Sequence, residues 1–365
     1  VRITSIEAVP IAVPTKARRS ALGVFEHFEY GIVRVQTDEG IEGLGEISTL
    51  WDGHGRTQCA LVDHHIAPRL LGEDPTAINL GLRKMDTLIE GGWPARAGVE
   101  MALWDILGKS LDVPLWVLLG GRSREGAVLS RSIHMASPDE MAAQAAGLVA
   151  EGYGCVKVKI GVGGPAVDEA AVAAVRGAVG PDVLVRVDAN MGWRTPKEAI
   201  RSIRRLEQYD LHSVEEPLPP GDVAALALVR RSVDTPIMAD ESVWGPRDAW
   251  RLLKGEAVDI LNVYVAESGG LTNGSLIFRM AETAGVPCVI GAMPELGIGT
   301  SAGVHLAVSM TNLHDPCDAS GALYHSSPDV VNERFRVEAG TIYPLDGPGL
   351  GVTLNEDVLD TYRMS

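Results

Sequence analysis

The chain's 365 residues suffice for one large domain or two ordinary ones, each with its own core. Hydrophobic residues make up 46%, too many for a disordered chain. The formal net charge of -16 argues against nucleic acid and anionic membrane as partners, while an anionic substrate stays open wherever local lysines or a metal invert the field.

The opening Val1-Arg-Ile-Thr-Ser-Ile-Glu7 reads as a strand and has no signal-peptide pattern. No apolar run approaches the ~20 residues of a membrane span. Cys59, Cys155, Cys288 and Cys317 have neither metal-ligand nor redox spacing and read as reduced, small apolar residues. These features predict a soluble cytoplasmic protein. Residues 3–13 and 30–36 alternate apolar and polar, and Thr37-Asp-Glu-Gly40 turns into Ile41-Glu-Gly-Leu-Gly-Glu46, which predicts a meander. Helical patterns follow at 57–71, 76–90 and 94–110, completing an α+β unit.

From about residue 128, Val/Ile-rich strands alternate with Ala-, Leu- and Arg-rich helices. Strands are predicted at 154–160, 183–188, 212–215, 236–240, 259–264, 287–291 and near 315–318, with helices at 165–178, 196–208, 222–232, 246–254 and 272–285. Units of roughly 25–30 residues in this number predict a parallel barrel. A doubly wound open sheet is the alternative, but no Gly-rich phosphate turn follows an early strand. The tail returns to loops and short strands, expected to pack back on the first unit. The expected division is a capping domain at 1–122, a barrel at 123–325 and a returning segment at 326–365.

Side chains alternate faces along a strand. Val156, Val158 and Ile160 share one face of their strand, and Lys157 and Lys159 share the other. Asp188 with Arg186, Glu215 with Ser213, Asp240 with Met238 and Tyr264 with Asn262 pair in the same way. In a parallel barrel the helix-covered face is apolar, and the inner face turns polar at the strands' C-terminal ends. Lys157, Lys159, Asp188, Glu215, Asp240 and Tyr264 therefore converge. Singly, each has a plain reading: Lys-Val-Lys suits a solvated edge strand, and an aspartate after a strand suits a helix cap. Jointly, three carboxylates at successive strand ends repel one another unless a cation lies between them, and their oxygens suit Mg²⁺.

Ala102-Leu-Trp-Asp-Ile-Leu-Gly-Lys109, Lys157-Val-Lys159, Asp188-Ala-Asn190, Glu215-Glu-Pro217 and Asp240-Glu-Ser242 occur in an order that resembles the enolase superfamily, in its mandelate racemase/muconate lactonizing enzyme branch. The resemblance covers nearly the whole chain. It implies an α+β capping domain over a modified (β/α)7β TIM-type barrel. It also implies one Mg²⁺ held by Asp188, Glu215 and Asp240, a small carboxylate substrate, and a homo-oligomer, either dimer or octamer. Parity also favours Glu215 over Glu216. The shared chemistry is removal of a proton α to a carboxylate, or protonation of the equivalent enolate. A lysine beside a second ammonium and a divalent cation has its pKa pushed down, which makes Lys159 the general acid or base, with Lys157 biasing it and helping to hold the carboxylate.

The sequence departs from the family at the sixth barrel strand. Tyr264 stands where the lactonizing branch has a second lysine, and no histidine ends the seventh strand as in mandelate racemases. Inversion needs an acid/base group on each face of the substrate, whereas a cycloisomerase or a syn-eliminating dehydratase needs only one. The sequence thus favours a lyase or muconate-like cycloisomerase. A racemase or epimerase using Tyr264 and a non-catalytic carboxylate binder are the alternatives. Candidate substrate contacts are Asn190, Glu295, Asp318 at a distal group, and Arg18, Arg19 and Trp51 on capping loops that also carry Lys16, His27, Tyr30, His54 and Arg56. Cys317-Asp-Ala-Ser320 lacks the Asp-x-Asp of dipeptide epimerases.

Overall fold

Three antiparallel strands, β1 (Ile3–Ser20), β2 (Gly23–Thr37) and β3 (Glu42–Ser48), form the expected meander. The computed structural model describes residues 1–20, 23–48, 55–88 and 91–364; the side chains of 16–26 lie outside that description. β1 runs past its predicted end because its backbone pairs with β2 beyond an irregularity at Pro14 to Arg18, where Lys16-Ala-Arg-Arg-Ser20 has no apolar alternation to announce a strand. The helical pattern that follows divides into α1 (Gly55–Leu61), a π-turn (Val62–Ile66) and α2 (Ala67–Leu70). The switch comes where Pro68 cannot donate an amide. Then come α3 (Ile78–Asp86) and α4 (Trp93–Ser110). Strand β3 lies directly on α4. A Cβ on Gly45 would stand 1.8 Å from the Gly98 carbonyl oxygen, so this approach needs a residue without a side chain.

After α5 (Leu115–Leu118) and β4 (Ala127–Val128), seven parallel strands form one sheet in sequence order. They are β5 (Arg131–Ile133), β6 (Cys155–Lys159), β7 (Leu184–Asp188), β8 (Leu211–Glu215), β9 (Ile237–Ala239), β10 (Ile260–Val263) and β11 (Cys288–Ile290). The helices between them are α6 (Pro138–Ala150), α7 (Pro165–Val179), α8 (Pro196–Leu206), α9 (Val223–Ser232), α10 (Pro246–Lys254) and α11 (Leu271–Thr283), and α12 (Gly297–Ser309) follows β11. Four of them begin with proline, whose fixed φ and missing N–H suit a helix's first position. Segment 313–318 bridges β11 through Leu313↔Cys288 and the start of the sheet through Cys317↔Leu129, closing a (β/α)7β barrel at the predicted eighth position. Val156, Val158, Val185 and Val187 are fully buried with Met141, Val172 and Val175 of the surrounding helices. Each such valine contributes about 1.5–3 kcal/mol. No helix among the described residues is long and apolar enough to cross a membrane.

Three buried carboxylates tie the first unit to the rest. Glu46 accepts the amides of Leu296 and Gly299 at the start of α12, both at 2.8 Å. Glu100 accepts those of Leu271 and Thr272 at the start of α11, at 2.7 and 2.8 Å. Asp105 accepts Leu350 N at 2.8 Å, and Gly349 O accepts Leu115 N at 2.8 Å. Helix N-termini and exposed amides are natural partners for buried acids. The tail adds β12 (Val337–Glu338), β13 (Thr341–Ile342) and α13 (Glu356–Tyr362), and it meets β1 where Met364 N donates to Pro10 O at 2.9 Å.

Burial raises the Glu46 carboxyl from 4.5 to about 7, outweighing the Ser48 hydroxyl and the two amides that oppose it. A raised carboxyl stabilises the fold below its unfolded pKa, and that contribution is lost as pH climbs from 4.5 through 7. Glu46→Gln is therefore expected to flatten the fall of stability across that window, measured by urea unfolding at stepped pH. An unchanged slope would count against this account.

Candidate active site

Register aligns the site. Lys159 on β6 sits beside Asp188 on β7, and Asp188 sits beside Glu215 on β8. Parity determines the rest, because Val158, Val187 and Val214 must face the helices, so their neighbours face the barrel interior. Asp240 follows β9, and Asp188, Glu215 and Asp240 each offer an oxygen within 4.8 Å of the others. Glu216 points elsewhere. It accepts Asp240 N at 2.7 Å, Ser242 N at 3.2 Å and the Ser242 hydroxyl. Its φ of +35°, and +40° at Asn190, place sparsely populated backbone just beyond two of the three acids.

The charges are paired unequally. Lys159 Nζ donates to Asp188 Oδ2 at 2.5 Å and to Asn190 Oδ1 at 3.1 Å, and Asn190 donates to Glu241 at 2.9 Å. Lys157 Nζ lies 2.6 Å from Asp318 and 3.1 Å from Glu215. Arg186, fully buried, reaches Glu215 at 2.8 Å and Asp318 at 3.2 Å. Among the described residues no cationic side chain pairs with Asp240. Burial, then Glu241, Glu215, Glu267 and Asp188, push its carboxyl well above the usual range. Burial and Glu215 push Asp188 up as well, against Lys159 and Lys157. For Glu215, burial is outweighed by Lys157 and Arg186, which hold it well below the usual range. A buried set of three hard oxygen donors, one of them without a counter-charge, fits a divalent cation such as Mg²⁺.

Several expectations change. The sequence predicts a lowered Lys159 pKa beside a divalent cation; with the protein's own groups alone, burial and Lys157 pull that way, but the charge and hydrogen bond of Asp188 together with Glu215 outweigh them and the value is raised. Lys157 is raised well above its ordinary value, because Asp318, Glu215 and Asp188 exceed the effect of burial. Its ammonium is held by those acids rather than free for a substrate carboxylate. A distal role for Asp318 does not match its place. The residue is 3% exposed and turned inward onto Lys157, Arg186 and the Ser130 hydroxyl. Glu295 is buried outside this network, its pKa pushed well up by burial and then by Glu46 and Glu267. Tyr30 donates to Pro294 O at 2.6 Å, and His27 is exposed. Trp51 and His54 lie outside the described residues, as do the side chains of Lys16, Arg18 and Arg19.

Arg186 and Asn262 are central here, and neither stands out as a candidate in the sequence. Parity does set both on the inner face, beside Asp188 and Tyr264, and that signal is sufficient to find them. Glu241 and Glu267 sit in loops past the strands, where no periodicity marks them. Tyr264 Oη donates to Asp240 Oδ2 at 3.1 Å. Burial, followed by Asp240 and Glu215, pushes its phenol well above 10.

Residues 3–120 match the mandelate racemase/muconate lactonizing enzyme N-terminal domain, and 140–358 match the enolase C-terminal domain-like family. The chain belongs to the mandelate racemase/muconate lactonizing enzyme family of the enolase superfamily. It is 36% identical to an L-Ala-D/L-Glu epimerase of Bacillus subtilis, covering 96% of each chain. It is 30% identical to muconate cycloisomerase 1 of Rhodococcus opacus, covering 98% of this chain and 96% of the relative. A dipeptide epimerase from Enterococcus faecalis V583, solved with Mg and the dipeptide L-Leu-L-Tyr, superposes with a TM-score of 0.92 at 30% identity, covering 97% of this chain and 100% of the other. This family member is accordingly an enzyme of the isomerase or lyase type.

Proposed function

We propose that this enzyme forms or protonates an enediolate α to a substrate carboxylate, with Lys159 as the single acid/base group and one Mg²⁺ held by Asp188, Glu215 and Asp240. The reaction class is cycloisomerisation of a muconate-like acid or syn-dehydration. The observation that carries this reading is the one-sided placement of proton-transfer groups: Lys159 on β6, and across the barrel a phenol whose hydrogen bond goes to Asp240. Bound Mg²⁺ supplies Lewis-acid stabilisation of the charge that develops on the substrate carboxylate. Were Asp188 engaged by a cation, Lys159 would share its nearest counter-charge, and its raised pKa would move down. Asn190 keeps the ammonium oriented through its 3.1 Å contact.

A second reading, racemisation or epimerisation with Tyr264 as the other acid/base group, is favoured by the 36% identical epimerase. Incubating muconate-type diacids, β-hydroxy acids and N-acylated amino acids with the protein and Mg²⁺ in D₂O separates the two by NMR. The expected result is a cyclised or dehydrated product, deuterated on one face at most. Recovered substrate carrying deuterium with inverted configuration would overturn the first reading in favour of the second. Mg²⁺ alone is expected to raise the melting temperature, since a ligand at a hundredfold its Kd stabilises by about 2.7 kcal/mol. No shift in millimolar Mg²⁺ would sink the metal assignment.

A further inference from the structure

Strand β10 and the residue that follows it present Asn262 and Tyr264 to the barrel interior, 0% and 5% exposed. The tyrosine ring lies against Gly291, the residue after β11. A Cβ on Gly291 would stand 2.4 Å from Cε2 and Cζ of the ring and 2.7 Å from Asn262 Oδ1. No positive φ demands glycine there, so the missing side chain serves space alone. Thus Gly291 admits the ring, and Asn262 then determines where its oxygen lies. Asn262 Nδ2 is 3.3 Å from Tyr264 Oη and 3.4 Å from Glu215 Oε1. A phenol has one proton to donate, and here it goes to Asp240 Oδ2.

Of the three acids, Asp188 has Lys159, and Glu215 has Arg186 and Lys157. Asp240, without a cation among the described residues, has this hydroxyl. A hydrogen bond to a ligating carboxylate decides which oxygen faces the ion and limits its rotation. We infer that Tyr264 is a positioning residue for Asp240, seated by Gly291 and steered by Asn262, and that it transfers no proton to or from substrate. In this chain the inner face of β10 serves the metal ligands. The inference rests on the Mg²⁺ reading above.

Calorimetric titration of the full-length protein with Mg²⁺ alone tests it without a known substrate. Tyr264→Phe keeps the ring and removes the hydroxyl, and it is expected to weaken Mg²⁺ affinity about tenfold, the low end for loss of such a partner. Gly291→Ala, which displaces the ring, is expected to weaken it similarly. The double variant should be no weaker than either single one, because both changes remove the same hydrogen bond. If wild type binds Mg²⁺ and Tyr264→Phe binds within twofold of it, the positioning role is overturned. With a substrate from the D₂O screen in hand, it is overturned equally if Tyr264→Phe shows no deuterium exchange at any Mg²⁺ concentration, which makes the phenol a proton-transfer group. Wild-type protein that binds no Mg²⁺ overturns the metal reading instead. Should Gly291→Ala fail to fold, the Tyr264→Phe titration decides alone.

Discussion

Lys159→Ala is expected to lower turnover by about 10²–10⁴-fold, the usual contribution of a positioned general acid or base, while Mg²⁺ binding persists. Two ammonium groups stand side by side on β6, and exposure separates them. The Lys159 side chain is 17% exposed and that of Lys157 only 6%, so Lys159 is the one that a substrate above the strand ends can reach. Lys157 is occupied by Asp318 and Glu215 at 2.6 and 3.1 Å. Removing Lys159 leaves Asp188 without its close cation, which favours binding of a divalent ion rather than opposing it. Lys159→Arg sharpens the test. It keeps a positive charge beside Asp188 but brings a group that stays protonated at any working pH. Loss of α-hydrogen exchange in D₂O is expected in both variants. Exchange at the wild-type rate in either would falsify the assignment of Lys159 as acid/base.

Arg186→Met is expected to destabilise the fold by roughly 3–5 kcal/mol, the cost of leaving buried partners of an ion pair uncompensated. The guanidinium is 0% exposed and reaches two acids from different parts of the chain, Glu215 at 2.8 Å and Asp318 at 3.2 Å. Without it, these carboxylates share only Lys157 among the described cations. A methionine fills much of the volume, so the loss reports charge and hydrogen bonding rather than a cavity. Asp318→Asn in the Arg186→Met background should recover part of the stability, because it removes one of the stranded charges. Chemical denaturation of the four proteins gives the coupling, and a single-variant loss under about 1 kcal/mol, the ordinary effect of one substitution, would show that the network does not hold the barrel together.

The parts of the site that follow from strand alternation are legible in the sequence. Lys157, Lys159, Asp188, Glu215 and Tyr264 all sit on the faces that the valines between them dictate. The choice of Glu215 over Glu216 follows the same rule, and in the folded chain Glu216 is turned onto the amides of Asp240 and Ser242. Several barrel helices are readable because proline and a capping residue mark their starts, as at Thr195-Pro196, whereas α6 behind Ser137-Pro138 is absent from the helices read in the sequence. The extension of β1 is not, since it consists of backbone pairing with no apolar pattern behind it. The break near Pro68 is hidden too, because a π-turn changes the hydrogen bonding without interrupting the apolar face.

By itself, then, the sequence determined which side chains face the barrel interior, because a period of two is a local property of extended chain. The order of three acids and two lysines also carried the resemblance to the family to which the chain belongs. Only the tertiary structure decided how those groups are paired. Lys157 meets Asp318 across 161 residues and Arg186 meets it across 132, contacts that exist only once segment 313–318 closes the barrel. The Tyr264 hydroxyl meets Asp240 with its ring against Gly291, just past the neighbouring strand β11, and Asn262 Nδ2 3.3 Å from its oxygen. Alternation assigns a face to each residue, whereas partners are assigned by closure and packing among segments far apart in the chain.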